Sequence, residues 1–243
     1  MSDDFEIGKG EMFGDWLHER LREEIHFEEE PSWMDRVSRI EAWLQEGRDA
    51  AERLKVEVPW IEEVTAFTGP GRYIYLSRRL MEQFCDDEPV ALIIAHEIAH
   101  HDLEHVTVFR GWSLPLKRVP GALLFGLAFH ALERRLYGPE KECSADRHGM
   151  ELCLTAGYDG HRCLRLFDIL EDRALYLGDL DIVYGPDVES DDELSPDAGW
   201  KTRTRIWAWQ RTRGYLPIRD RRKALLDYLA RRGSASAPER PTS

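Results

Sequence analysis

The stretch "ALIIAHEIAHHDLEH", residues 91–105, constrains this chain more than any other. It sets His96, Glu97 and His100 inside an apolar run that reads as a helix following Pro89, with Asp86, Asp87 and Glu88 as N-terminal signals. Burying two imidazoles and a carboxylate is costly unless each finds a partner. On a helix, residues i and i+4 stand one turn apart on one face, so His96 and His100 present two ring nitrogens to a common point with Glu97 one step round. The fold has to bring other polar groups to meet that point.

The HExxH spacing gives the three side chains a chemistry. Two histidines so placed can hold zinc, which lowers the pKa of its water, and Glu97 is within reach of the proton. A catalytic zinc needs a third protein ligand and an open fourth position. The continuous pattern HExxHxxGxxH fails, because Leu103 and Val106 stand where its glycine and last histidine belong. The third ligand therefore comes from farther along the chain. "GPEKECSADRHGMELCLTAG", residues 138–157, reads as a helix with Pro139 near its start and Gly157 past its end. It puts Glu142 and Asp146 one turn apart, so one can bind metal while the other orients a ligand histidine. Gly149 lies on nearly the same face and permits close helix contact. Taken alone, a carboxylate pair at this spacing reads more readily as a solvated helix face than as part of a site. His101, Asp102 and His105 repeat the i, i+4 geometry, but on a polar helix end, whereas the turn of His96 and His100 is apolar and sheltered. His130, His148 and His161 read as structural or surface histidines.

At 243 residues the chain is long enough for one domain with a sizeable core, expected over residues 1–232, with "GSASAPERPTS" (233–243) as a disordered tail. A formal net charge of −13 lacks the basic excess that phosphate-backbone binding needs, so nucleic acid is not an expected partner. The N-terminal "MSDDFEIGKGEMFGDW" has neither the positive start nor the apolar stretch of a secretory signal, which makes the cytoplasm the expected location. The longest apolar tract, residues 119–132, is shorter than the roughly 20 residues of a membrane span and carries His130. It reads as a buried helix first, with a weak interfacial membrane contact as the alternative. Cys85, Cys143, Cys153 and Cys163 form no CxxC pair and read as reduced thiols.

Elsewhere "EMFGDWLHERLREEIHF" and "SWMDRVSRIEAWLQEGRDAAERL" carry apolar residues at helical spacing, among them Trp33, Val37, Ile40, Trp43 and Leu44. "VPWIEEVTAFTGPGRYIYLS" turns β-branched and aromatic around Gly69-Pro70-Gly71 and reads as a hairpin. Residues 185–199 are acidic and turn-rich, hence a loop, and "WKTRTRIWAWQRTRG" and "IRDRRKALLDYLARR" read as basic helices. The expected fold class is α+β: a mostly helical domain with a small antiparallel sheet beside the HExxH helix.

"HEIAHHDLEH" followed by "ECSADRHGMELCLTAGYD" resembles the gluzincin metallopeptidases of the CAAX prenyl protease and HtpX family, which includes mitochondrial quality-control and outer-membrane-assembly proteases. There HExxH often ends in a further histidine, matched by His105, and a later ExxxD precedes a glycine and a "GYD"-like turn. "TAFTGPGRYIYLSRRLMEQFCDDEPVALIIAHE" is similar to the family's Asn-Ala-Phe strand, glycine turn, second strand and helix into the site, with Thr65 in place of the asparagine. The resemblance covers about residues 56–160. It implies a zincin-like fold and a zinc endopeptidase acting on protein or peptide substrates. His96, His100 and Glu142 would be the ligands, Glu97 the base, and Asp146 the residue orienting a histidine. Thr65, Ala66 and Phe67 would form the edge that receives an extended substrate. Members also carry a His-Pro segment and then an arginine; "SPDAGWKTRTRI" offers Arg205 for the oxyanion, with Gly199 where the histidine would fall. The membrane spans of the CAAX and HtpX branches are absent, so a prenylated membrane substrate is not implied. A reading from another class is a zinc-containing chaperone-like or interaction module with little proteolysis. Glu97 argues against it, because a purely structural zinc site needs no base.

Overall fold

The computed structural model describes residues 3–62, 64–68, 71–106, 138–176 and 216–232. Arg205, the tract 119–132, the loop 185–199, the helix expected from residue 200 and the tail 233–243 lie outside them. In chain order the described elements are α1 (Asp3–Glu24), α2 (Pro31–Leu44), β1 (Lys55–Glu57), β2 (Ala66–Thr68), β3 (Tyr73–Leu76), α3 (Arg78–Met81) and α4 (Asp87–Asp102). After these come α5 (Pro139–Thr155), α6 (Gly160–Cys163), α7 (Arg165–Tyr176) and α8 (Ile218–Arg232).

Helix α4 is the axis of the molecule. Pro89 to Ala95, Ile98 and Ala99 are all buried, so the helix is apolar nearly all round, as a helix packed on several sides must be. Its acidic first turn suits the positive end of the helix dipole. There Asp87 binds Arg36 and Arg39 of α2 at 2.8 and 2.9 Å, which locks α2 against the start of α4. Helix α2 begins at Pro31, a residue pre-set for the first helical position, and buries Val37, Ile40 and Leu44. It ends ten residues before the helical pattern of the sequence does. The reason is Gln45, whose buried amide donates to Leu54 O at 2.8 Å and accepts from Leu54 N–H at 2.7 Å, with Gly47 turning the chain at φ +82°.

The sheet has the order β1-β3-β2. The expected hairpin is present as antiparallel β2 and β3, pairing Phe67 with Tyr75. The sheet as a whole is mixed rather than antiparallel, because β1, which the sequence pattern did not single out, joins β3 in parallel with Val56 opposite Ile74. Alternation divides its two faces. Val56, Ile74 and Leu76 enter the main core with α2 and α4, while Phe67 and Tyr75 pack with Leu21 of α1 and Phe27 in a second cluster. Among the described residues no helix is long and apolar enough to cross a membrane.

Helix α5 packs along α4, and a glycine permits it. A Cβ built on Gly149 would stand 2.9 Å from His96 N, 3.0 Å from Ala95 C and 3.1 Å from His96 Cα. Gly157, at φ +78°, then ends α5 in the left-handed conformation, with Tyr158 N–H donating back to Cys153 O at 2.9 Å. Helices α6 and α7, also unassigned from the sequence, bury Cys163 and Phe167 in the main core, and α8 adds Ile218 and Leu225.

Candidate metal centre

The close approach of α5 to α4 sets Glu142 opposite the HExxH turn. Glu142 Oε2 lies 3.5 Å from His96 Nε2, Glu142 Oε1 lies 3.4 Å from His100 Nε2, and the two Nε2 atoms are 3.1 Å apart. Among the described residues, His96, His100 and Glu142 are the group of histidine, cysteine and acidic side chains that converges tightly enough to hold a metal ion. The two Glu142 contacts are made by different oxygens; taking one donor atom from each residue gives a triangle whose edges are all within 4.8 Å, and its mixed imidazole and carboxylate set is one that tetrahedral zinc accepts.

The surroundings favour a positive charge at this point. Burial opposes protonation of His96, yet the nearby Asp146 and Glu142 carboxylates outweigh it and raise its pKa to about 10. Burial pushes Glu142 the other way, but His100, His96 and Arg221 hold it well below the usual carboxylate range. Asp146 Oδ1 stands 3.0 Å from His96 Nδ1, behind the nitrogen that faces the donor triangle. Glu97 is 6% exposed, and its buried Oε2 has no hydrogen-bond partner among the described residues. Its pKa is raised to about 7, chiefly by burial and also by Glu142, while His96, Arg221 and the main chain of Thr68 pull it down. A carboxyl group poised near neutrality beside two imidazoles can accept and return a proton.

Arg221 is the site residue that the sequence did not disclose. From α8 its Nε donates to Asp146 Oδ2 at 2.7 Å and its Nη2 to Asp146 Oδ1 at 2.6 Å, with Glu142 Oε2 3.5 Å from Nη2. This two-pronged ion pair fixes the carboxylate that faces His96. The available signal was order alone: Pro217 followed by Arg221 repeats the proline-then-arginine order that the resemblance calls for, with Leu216 at the place of the histidine. The rival set disperses. His101 Nε2 contacts Thr68 Oγ1, Asp102 receives Arg48 and His148, and the His105 ring meets that of His100.

The three hairpin residues divide as well. Phe67 is buried and stacks on Tyr75 at 5.0 Å, so its side chain belongs to the second cluster. Thr65 is tied inward, its carbonyl accepting from Ser77 N–H at 2.9 Å and its own N–H donating to Ser77 Oγ at 3.1 Å. Hydrogen-bonded pairs alternate along an antiparallel ladder, so with Thr65–Ser77 as one and Phe67–Tyr75 as the next, Ala66 and Thr68 turn their main-chain groups away from β3. Among the described residues no strand pairs with that outer side of β2.

A family model described as peptidase family M48 matches residues 36–194, a span from α2 past α7 that includes His96, Glu97, His100, Glu142 and Asp146 and stops short of Arg221. No curated protein matches the chain significantly. With more than half of its length matched and the HExxH and ExxxD residues brought to one point, the chain belongs to peptidase family M48.

Proposed function

We propose that this protein is a zinc-dependent endopeptidase whose general base is Glu97. The observation that carries the reading is the buried Glu97 Oε2, without a hydrogen-bond partner among the described residues, one helical step from the two imidazoles that converge with the Glu142 carboxylate. Leaving a buried carboxylate oxygen without a partner costs about 1–3 kcal/mol or more, a cost that a folding role alone does not offset. His96, His100 and Glu142 would hold the zinc, a borderline ion suited to mixed imidazole and carboxylate donors. When bound, zinc supplies a Lewis acid that polarises the scissile carbonyl and acidifies a water molecule.

The chain's own residues do the rest. Glu97 takes the proton of the attacking water and passes it to the leaving amine, and its elevated pKa favours both transfers near neutral pH. Asp146 orients His96 from behind, and Arg221 keeps Asp146 ionised and aimed. The outward-facing main chain of Ala66 offers an extended peptide a hydrogen-bonding edge that does not depend on its sequence. Thr68 beside it is tied to the site itself, its main chain to Glu97 and its hydroxyl to His101. Within the family we assign the chain to the HtpX-like, CAAX-protease-like branch, acting on protein or peptide substrates in the cytoplasm.

The test separates zinc from base. Glu97→Gln should retain about one zinc per chain by elemental analysis and lose casein hydrolysis by about 100- to 10,000-fold, the usual contribution of a general base. Wild-type digestion by the purified mutant would overturn the mechanism, and a wild type that binds zinc without cleaving any unfolded substrate would favour the chaperone-like module.

A further inference from the structure

We propose that His105 is a positioning residue that selects the tautomer in which His100 presents Nε2 to the metal. The proposal rests on the zinc reading above and concerns a buried group that the mechanism does not use.

His100 Nδ1 and His105 Nδ1 are 3.0 Å apart, with ring centroids separated by 5.1 Å. Two imidazole nitrogens at that distance share one hydrogen, so one donates and the other accepts. The opposite nitrogen of His100, Nε2, faces His96 Nε2 at 3.1 Å and Glu142 Oε1 at 3.4 Å. To bind a metal ion there it must carry a lone pair. The ring hydrogen of His100 is then on Nδ1, and His105 Nδ1 is its acceptor. The two ligand histidines are thus held by different chemistry: His96 is backed by the Asp146 carboxylate and His100 by a neutral ring. A neutral acceptor adds no fourth negative charge to a pocket that already contains Glu97, Glu142 and Asp146.

The backbone is shaped to make this contact. On an unbroken helix residues i and i+5 lie about 140° apart, so His105 would point away from His100. Helix α4 stops at Asp102, Leu103 N–H donates to Ala99 O at 2.9 Å, and Glu104 adopts φ +55°. Glu104 is the only non-glycine residue with positive φ among the described residues, in a conformation that costs an L-residue about 1–2 kcal/mol. The turn it makes carries His105 back beneath the last helical turn, where the residue is 7% exposed.

The experiment uses the full chain, stripped of metal and titrated with zinc against a chromophoric chelator, for wild type, His105→Ala, His105→Asn and His96→Ala. Ring nitrogen shifts of His100 in the metal-free wild type report where its hydrogen sits. His105→Ala should weaken zinc binding about 10- to 100-fold, as loss of an outer hydrogen-bond partner of a ligand does. His105→Asn, whose Oδ1 occupies the acceptor position, should recover most of that loss, and His100 should carry its hydrogen on Nδ1. The proposal falls if a folded His105→Ala binds zinc as tightly as wild type, if a folded His105→Asn is as weak as His105→Ala, or if His100 in wild type carries its hydrogen on Nε2. Should His105→Ala not fold, the asparagine variant and the wild-type nitrogen shifts decide. Unchanged zinc binding by His96→Ala would instead overturn the ligand assignment and leave the contact between the two rings a separate matter.

Discussion

Gly149→Ala tests the step on which the whole site depends, the contact of α5 with α4. The added methyl would sit 2.9 Å from His96 N and 3.0 Å from Ala95 C, both backbone atoms inside a buried helix that cannot swing aside as a side chain can. Carbon contacts settle at about 3.5–4.0 Å, so the helices must part locally by roughly half an ångström or more. Overpacking of this kind costs about 1–3 kcal/mol, and the better helix propensity of alanine returns about 1 kcal/mol. The net loss of stability is therefore small, about 0–2 kcal/mol. The displacement falls on His96 itself and on the distance from His96 and His100 to Glu142. Since misplacing reacting groups by about 1 Å can cost roughly 100-fold, kcat/KM should drop about tenfold or more, with weaker zinc binding. Urea unfolding in the presence of a chelator isolates the folding term, chelator competition gives the zinc affinity, and a quenched fluorescent peptide gives kcat/KM. A variant with wild-type zinc affinity and activity would refute the claim that the glycine sets ligand geometry. A loss of stability well above about 3 kcal/mol with normal activity in the folded fraction would assign Gly149 to packing alone.

Glu142→Ala should abolish activity and sharply lower zinc content by elemental analysis, whereas Glu140→Ala, an exposed neighbour on the same helix, should change neither. Ala66→Pro should leave zinc content and folding intact but raise KM, because proline removes an N–H that faces away from β3 and is tolerated at sheet edges; unfolding of the variant would put Ala66 inside a ladder. Burial alone would raise the Asp146 pKa, but Arg221 and His96 lower it to about 2. Its unfolded value is about 3.9, so this group contributes stability that is fully present above about pH 4 and is lost as pH falls through 2, about 2–3 kcal/mol in all. Urea unfolding of metal-free wild type and Asp146→Asn between pH 5 and pH 2 should show a loss in wild type that exceeds the variant's by about that amount, since Asp87, Asp102 and Glu142 titrate in both.

The helices of this protein were legible where one face decides them. Val37, Ile40 and Leu44 repeat at helical spacing, and the boundaries of α5 follow from Pro139 and Gly157. The HExxH pair was legible because two histidines four residues apart on one helix are neighbours before any tertiary contact forms. Other features depend on partners distant in the chain. Leu54 and the side chain of Gln45 cut α2 short, and the three residues of β1 become a strand only because β3 lies beside them. Periodicity within a segment carries no record of either contact.

The same division runs through the site. The sequence by itself determined His96, Glu97 and His100, since local helix geometry makes them one surface, and a resemblance singled out Glu142 and Asp146 from an otherwise ordinary carboxylate pair. Tertiary structure decided that Gly149 lets those carboxylates reach the histidines, and that Arg221, seventy-five residues beyond Asp146, clamps it. It also decided that His105 backs His100 rather than pairing with His101. A ligand four residues away on a helix is set by the backbone's own repeat; a partner on another helix is set by which surfaces the whole chain can bury together, and no local pattern encodes that choice.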